Sequence, residues 1–197
     1  MTRVFVSRDA ASIALGADAL AAALAPHAQV VRTGSRGMFW LEPMVEVETP
    51  QGRIAYGPVA AADVPGLVAA GALAGGAHRA RLGPVDEIPF LKRQTRVTFA
   101  RVGVVNPASA EDYAAHGGLE GLRAALAMGR AATVETVLKS GLRGRGGAGF
   151  PTAIKWKTTA DVAEPIQKYV VCNADEGDSG TFADRMLMEG DPFSLIE

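Results

Sequence analysis

Ser140-Gly141-Leu142-Arg143-Gly144-Arg145-Gly146-Gly147-Ala148-Gly149-Phe150-Pro151-Thr152 is the stretch on which the fold turns. Five glycines fall between positions 141 and 149, with Arg143 and Arg145 among them. Glycine lets the backbone approach a ligand closely and adopt positive φ. Successive amide N–H groups in such a loop form a concavity that binds anions. Pro151 suits the first turn of a following helix, whose N-terminus adds a favourable dipole and free N–H groups. Lys155, one turn further on, supplies a full positive charge. In physical terms this is a phosphate site. It is not a Walker loop, which needs Gly-Lys followed by Ser or Thr at fixed spacing. Nor is it the standard dinucleotide fingerprint, because Val134, Val137 and Leu138 place a helix, not a strand, before it. A flexible arginine- and glycine-rich loop is the plain alternative. The apolar edge that follows, Phe150 and Trp156, points instead to a planar ligand.

Downstream, Lys168-Tyr169-Val170-Val171-Cys172 reads as a compact apolar strand. Asn173-Ala174-Asp175-Glu176-Gly177-Asp178 leaves it at the carboxyl end, where open α/β sheets bind their ligands. Asn173 can donate to or accept from a heterocycle edge. The carboxylates of Asp175, Glu176, Asp178 and Asp184 can accept from ring N–H groups, ribose hydroxyls or a carboxamide; a purely structural role is the alternative. No ordered spacing of metal ligands is present, and His27, His78 and His116 stand far apart. Cys172 inside the strand run reads as a small buried hydrophobe.

Upstream, residues 2–7 read as a strand, and Ser7 or Asp9 can cap the helix that follows. Ile13, Ala17, Leu20 and Leu24 repeat at helical spacing until Pro26. Val30-Val31 opens a second strand. Met44 to Glu48, the turn Thr49-Pro50-Gln51-Gly52 and the return Arg53-Ile54-Ala55-Tyr56 make a β-hairpin. Asp63 to Val68 opens another helix. Residues 1–74 thus form a small β-α-β-β-β-α domain. Residues 75–106, with Gly75-Gly76, Pro84, Pro89 and several arginines, read as a solvated linker arm. Residues 107–197 form the second unit: helix from Ala108 to Met128 broken at Gly117-Gly118, a short helix ending at Gly141, then the glycine loop.

The 197 residues allow one large or two small domains, and 48% apolar content allows a sizeable core. A net charge of −1 argues against nucleic-acid or anionic-membrane partners. No apolar run approaches the length needed to span a bilayer. The single cysteine excludes an internal disulfide and any four-cysteine cluster within these residues, and suits a cytoplasmic location. The last residues, Asp191 to Glu197, read as a helix that stops too soon, so the chain is expected to be the N-terminal part of a longer one.

Two long motifs now carry a resemblance. Ser140 to Thr152 with Lys155-Trp156 resembles the flavin loop of the NADH-binding subunit of respiratory complex I. Cys172-Asn173-Ala174-Asp175-Glu176-Gly177, Gly180-Thr181-Phe182, Asp184-Arg185 and Glu189-Gly190-Asp191-Pro192 resemble its second signature. The likeness covers residues 106 to 197. It implies hydride exchange between NAD(H) and FMN, with electrons passing on to iron–sulfur clusters. Gly144, Arg145, Gly146 and Gly147 would wrap the flavin, with Lys155 near its ribityl-phosphate side. Asn173, Asp175 and Glu176 would hold the flavin and the nicotinamide region, and Phe150 would stack on the NADH adenine. Where the family usually has Glu-Pro-Gly, this chain has Asp178-Ser179-Gly180, a shorter carboxylate at the expected nicotinamide contact.

Residues 1–74 resemble the thioredoxin-like iron–sulfur domain of a companion subunit. That pattern has Gly-Cys, a second Cys four residues on and a Pro four beyond that; here stand Gly34-Ser35, Phe39 and Pro43. Without the thiolates the domain holds no cluster and is left a docking role. The implied fold is α/β: a thioredoxin-like N-terminal domain followed by the first part of a Rossmann-like FMN-binding domain. A [4Fe-4S] cluster is expected only beyond residue 197. The fusion is most similar to the flavin-binding chains of NAD-dependent formate dehydrogenases, a preference resting on Arg32 to Gly37 and Phe39 to Pro43. The implied partners are an iron–sulfur companion subunit and a molybdenum subunit that oxidises formate. The diaphorase subunits of NAD-reducing hydrogenases, or NADH:quinone oxidoreductase, are the alternative. A truncated docking module without catalysis is the alternative from another class.

Overall fold

The computed structural model describes residues 1–163 and 166–197. The chain divides into two compact units: residues 1–117 with 176–196, and residues 118–175 with Glu197.

The first unit is built on a five-stranded mixed sheet in the order β2-β1-β3-β4-β5. Strand β1 (Arg3–Ser7) lies parallel to β2 (Gln29–Thr33) and antiparallel to β3 (Val45–Thr49). The hairpin from β3 to β4 (Gly52–Tyr56) is paired from Val45↔Tyr56 to Thr49↔Gly52, as its turn residues predict. Asp9 caps α1 (Ala10–Ala14) by accepting from the Ser12 N–H at 2.8 Å. Gly16, at φ 102°, separates α1 from α2 (Ala17–Leu24). Pro65 opens α3 (Val64–Ala69), the helix expected from Asp63 onward.

Strand alternation sorts the core. Val4, Val6, Val45, Val47, Ile54 and Tyr56 pack with Leu20 and Leu24 of α2 and with Val64 and Leu67 of α3. The in-register residues Phe5, Glu46 and Ala55 belong to the opposite face. Two departures from expectation fall in this unit: residues 107–117 and 176–196, read as part of the second, belong to it, and the opposite sheet face explains the other. Residues 75–106 are not a solvated arm. Arg81–Pro84 form β5, antiparallel to β4. Val85, Ile88 and Leu91, the last in α4 (Pro89–Lys92), are buried with Met38, Met44 and Ala55. Val102 and Val105 are buried as well. A sheet face carrying Phe5 and Ala55 needs cover, and this segment supplies it.

Glu46 lies under that cover with 8% of its side chain exposed, ion-paired to Arg36 and, at 3.2 Å, to Arg53. Arg53 also donates to the carbonyls of Gly103 (2.9 Å) and Val104 (3.0 Å), and its guanidinium sits 3.3 Å from the centre of the Phe5 ring. Burial works to lower the pKa of Arg36, but the adjacent Glu46 carboxylate holds it above the ordinary arginine value.

Glu42 is the other buried carboxyl. It accepts from Ser35 Oγ at 2.9 Å and from the Met44 N–H at 3.0 Å. Burial nevertheless pushes its pKa above the ordinary 4.5, with Asp9 adding like-charge repulsion. A carboxyl whose folded pKa is raised binds its proton more tightly when folded. Its contribution is therefore complete below the unfolded value and is lost as pH rises through the folded one. Glu42→Gln is expected to raise the thermal midpoint at pH 7 and to flatten its fall above about pH 4.5. A melting series from pH 4 to 8 on both proteins checks this; a lower midpoint for the variant at every pH would refute it.

The remainder of this unit brings α5 (Ala110–Ala115), capped by Ser109, together with α9 (Ala183–Gly190) and α10 (Pro192–Ile196). Among the described residues, no helix is long and apolar enough to cross a membrane.

The second unit is helical: α6 (Glu120–Met128), α7 (Arg130–Ser140) and α8 (Thr152–Ala160). The break expected at Gly117-Gly118 falls between α5 and α6, and α7 ends at Gly141 in the left-handed conformation (φ 69°). The expected strand at Lys168–Cys172 does not form. Residues 166–175 run without a ladder partner, with Tyr169, Val170 and Val171 at 80%, 101% and 86% exposure. An apolar run becomes a strand only beside another, and the described residues of this unit offer none. Cys172 is accordingly exposed, not a core residue.

Candidate functional site

The glycine loop joins α7 to α8 and is closed by its own backbone. Gly144 N–H donates to the Phe150 carbonyl at 2.8 Å, and Thr152 N–H to the Leu142 carbonyl at 3.0 Å. An isolated bridge pairs Arg143 with Pro151. Arg143 Nε donates inward to the Gly149 carbonyl at 2.6 Å, and Arg145 donates to the Arg143 carbonyl at 2.6 Å. The loop is therefore latched at its base, not flexible as an unpaired arginine–glycine tract would be. Arg143, noted among the glycines but given no role from the sequence, is part of that latch. Its place at the fold-back point of the glycine run was the available signal.

The tip is open. Gly146 and Gly147 would meet nothing within 4 Å if they carried a Cβ, and Gly147 has φ 102°, a conformation that side chains rarely adopt. Backbone bent this way, ahead of the N-terminus of the nine-residue α8, suits an anionic group. Lys155 Nζ lies 5.8 Å from the Phe150 ring centre, and both side chains are exposed. Phe150, Ile154, Lys155 and Thr158 border an open depression of about 440 Å³. A phosphate at the loop and an aromatic ring beside a lysine fit a phosphorylated planar cofactor such as FMN. A second groove of about 1330 Å³ is lined by Leu126, Val134, Leu138, Trp156 and Tyr169. That exceeds the ~300–1,000 Å³ of ordinary ligand pockets, and its lining mixes apolar helix residues with the charged Arg130, Glu135 and Lys157 and the non-helical residues 166–170.

The second motif is divided between the units. Asn173 and Asp175 belong to the second, where the Asn173 Oδ1 accepts from the Asp175 N–H at 3.1 Å in an exposed turn. Glu176 and Asp178 belong to the first. Asp178 is exposed, and its carbonyl accepts from Thr181 N–H at 3.3 Å. Glu176 adopts φ 45° and turns its carboxylate onto the start of α9, accepting from Asp184 N–H (2.9 Å) and Arg185 N–H (3.1 Å). Desolvation works to raise its pKa, but these N–H groups and the Arg185 charge hold it below the ordinary glutamate value. Asp184 serves α9 as its first-turn acid. The structure thus brings Gly144, Arg145, Gly146, Gly147, Phe150 and Lys155 together, and separately joins Glu176 to Asp184 and Arg185. Among the described residues no cluster of three or more His, Cys, Asp or Glu forms a metal site.

Residues 137–197 match the family described as the Nuo51 FMN-binding domain. The chain is 51% identical over 106 residues to the HndC chain of the NADP-reducing hydrogenase of Solidesulfovibrio fructosivorans, covering 54% of this chain and 21% of that protein. It is 49% identical over 89 residues to an NADH-quinone oxidoreductase subunit of Aquifex aeolicus, covering 45% and 20%. It is 59% identical over 59 residues to the alpha subunit of the NAD-reducing hydrogenase HoxS of Cupriavidus necator, covering 30% and 10%. The chain spans about a fifth of the length of the first two of these relatives. The match supports FMN and NAD as the cofactors read from the two motifs.

Proposed function

We propose that this chain carries part of an FMN- and NAD(H)-binding electron-transfer subunit, in a multisubunit oxidoreductase of the NAD-reducing hydrogenase or NADH–quinone oxidoreductase kind. The observation that carries this is the latched glycine loop, open at Gly146-Gly147 and set before α8, inside the segment that matches an FMN-binding family. FMN, when bound, supplies the two-electron to one-electron exchange. The residues position it. Gly144, Arg145, Gly146 and Gly147 wrap the flavin, with the phosphate against the loop backbone and Lys155. Phe150 offers a stacking face to the adenine. Asn173, Asp175 and Glu176 accept from the flavin and carboxamide edges, and Asp178 reaches less far than a glutamate would.

The first unit is proposed as a thioredoxin-like domain without a cluster. The parallel β1-β2 pair followed by the β3-β4 hairpin supports this, as do Ser35 and Phe39 where the pattern has cysteines. The remaining flavin domain is proposed as Rossmann-like. Iron–sulfur subunits are the proposed partners, and the cytoplasm the proposed location.

Formate as the ultimate donor, with a molybdenum subunit, is the finer reading, and it rests on residues 32–43. Arg36 and Glu42 there serve the framework, one on Glu46 and the other on Ser35 and Met44 N–H. The relatives are named for hydrogenase and NADH–quinone oxidoreductase, which favours those assemblies.

The test is purification of the complex from its own gene cluster, followed by acid release of flavin and assay of NADH-driven dye reduction. Stoichiometric FMN with NADH activity is expected; an intact complex without flavin overturns the proposal. Co-purifying nickel or molybdenum decides between hydrogen and formate.

A further inference from the structure

We propose that the Gly34–Phe39 loop is a positioning surface for α9 and, through α9, for the carboxylate of Glu176. The inference rests on the cofactor reading above, because Glu176 is one of the groups that reading places against the cofactors. Its structural part stands within the first unit.

The amino end of α9 has no side-chain cap of its own at Phe182. The carboxylate of Glu176 takes that place, accepting from the N–H groups of Asp184 and Arg185. Where α9 goes, Glu176 goes. The other end of α9 is fixed at several points. Glu189 Oε2 accepts from Ala10 N–H at 2.6 Å. The Arg101 Nε donates to Asp191 Oδ2 at 3.0 Å, just past the helix end, and Asp191 is only 1% exposed. Between these points the backbones touch. A Cβ on Gly34 would fall 2.5 Å from Gly190 Cα, and one on Gly190 would fall 2.7 Å from Val102 Cγ1. Met186 Cε lies 2.9 Å from where Gly37 would carry a Cβ, and the Arg185 guanidinium lies 5.8 Å from the Phe39 ring.

Backbone against backbone has no flexible end to give way. A methyl group at Gly34 must move α9 by about 1 Å to reach an ordinary carbon–carbon separation. A displacement of that size at a cofactor-binding carboxylate is large on the scale of productive geometry. The positions where the resemblance places thiolates, Ser35 and Phe39, thus border a surface that holds a helix instead.

Two measurements test this. In the 197-residue chain, Gly34→Ala is expected to speed amide exchange at Asp184 and Arg185 at least about tenfold; unchanged protection overturns the proposal. If Gly34→Ala does not fold, Met186→Ala and Phe39→Ala replace it, since both remove side chains at the contact between loop and helix. Each is expected to loosen the same amides; unchanged protection in both overturns the proposal. In the full-length, flavin-loaded subunit the same variants are expected to keep FMN and raise KM for NADH about tenfold, with kcat little changed. An unchanged KM beside an active wild type overturns the positioning role alone. A wild-type subunit without flavin overturns the cofactor reading and, with it, the role given to Glu176.

Discussion

Glu46→Ala is expected to cost the first unit about 3–5 kcal/mol and to leave it largely unfolded at 37 °C. Glu46 is the carboxylate that both Arg36 and Arg53 face beneath the sheet, and its side chain is 8% exposed. Removing it strands two guanidinium groups. Arg53 keeps the carbonyls of Gly103 and Val104, but Arg36 loses the partner of both its Nε and Nη2. An uncompensated buried charge is far more costly than the pair is worth, because desolvation remains when attraction is gone. Arg53, which ties the Gly103 and Val104 carbonyls to the sheet, loses the carboxylate that orients it. Glu46→Gln retains shape and one acceptor, so it is expected to lose clearly less. Urea denaturation of the three proteins checks the order. A Glu46→Ala variant as stable as the wild type would show that water already solvates this face.

How much of this is legible in the sequence depends on how local the chemistry is. Asp9 as a cap, the Pro50-Gln51 turn, the break at Gly117-Gly118 and the helix stop at Gly141 are each settled within four or five residues, and the sequence alone predicts them. It does not predict β5, because Arg-Leu-Gly-Pro has neither alternation nor β-branched residues; it is a strand because β4 presents an edge to it. The failed strand at Lys168–Cys172 is the converse: the composition is right, but the described residues of its unit hold no partner. The glycine loop is legible as a phosphate site, since glycine, lysine and a helix start act locally. The capping use of Glu176 is not, because the N–H groups it serves lie eight and nine residues further on. The exposed Cys172 follows from the missing strand and not from anything in the cysteine itself.

Gly147→Val is expected to weaken FMN retention by the full-length protein about tenfold to a hundredfold while leaving the second unit folded. At φ 102°, Gly147 occupies backbone space that a β-branched residue enters only under strain. Such strain costs about 1–3 kcal/mol, and each 1.4 kcal/mol is a factor of ten in affinity. The fold has no steric objection, because a Cβ at Gly147 meets nothing within 4 Å. The loss therefore belongs to the shape of the loop tip and not to packing. Gly144→Ala supplies the contrast. Gly144 is not among the positive-φ residues, and its Cβ would lie in ordinary contact with the Phe150 carbonyl, at 3.6 Å. It sits at the latched base, so only a small loss is expected. Flavin fluorescence on release, with circular dichroism as the control for folding, measures both. If the two substitutions abolish FMN binding equally, close approach of the ligand to every glycine is the constraint and the conformational account is wrong. If neither matters, the phosphate does not bind this loop, and the strongest physical support for a flavin in this chain is gone.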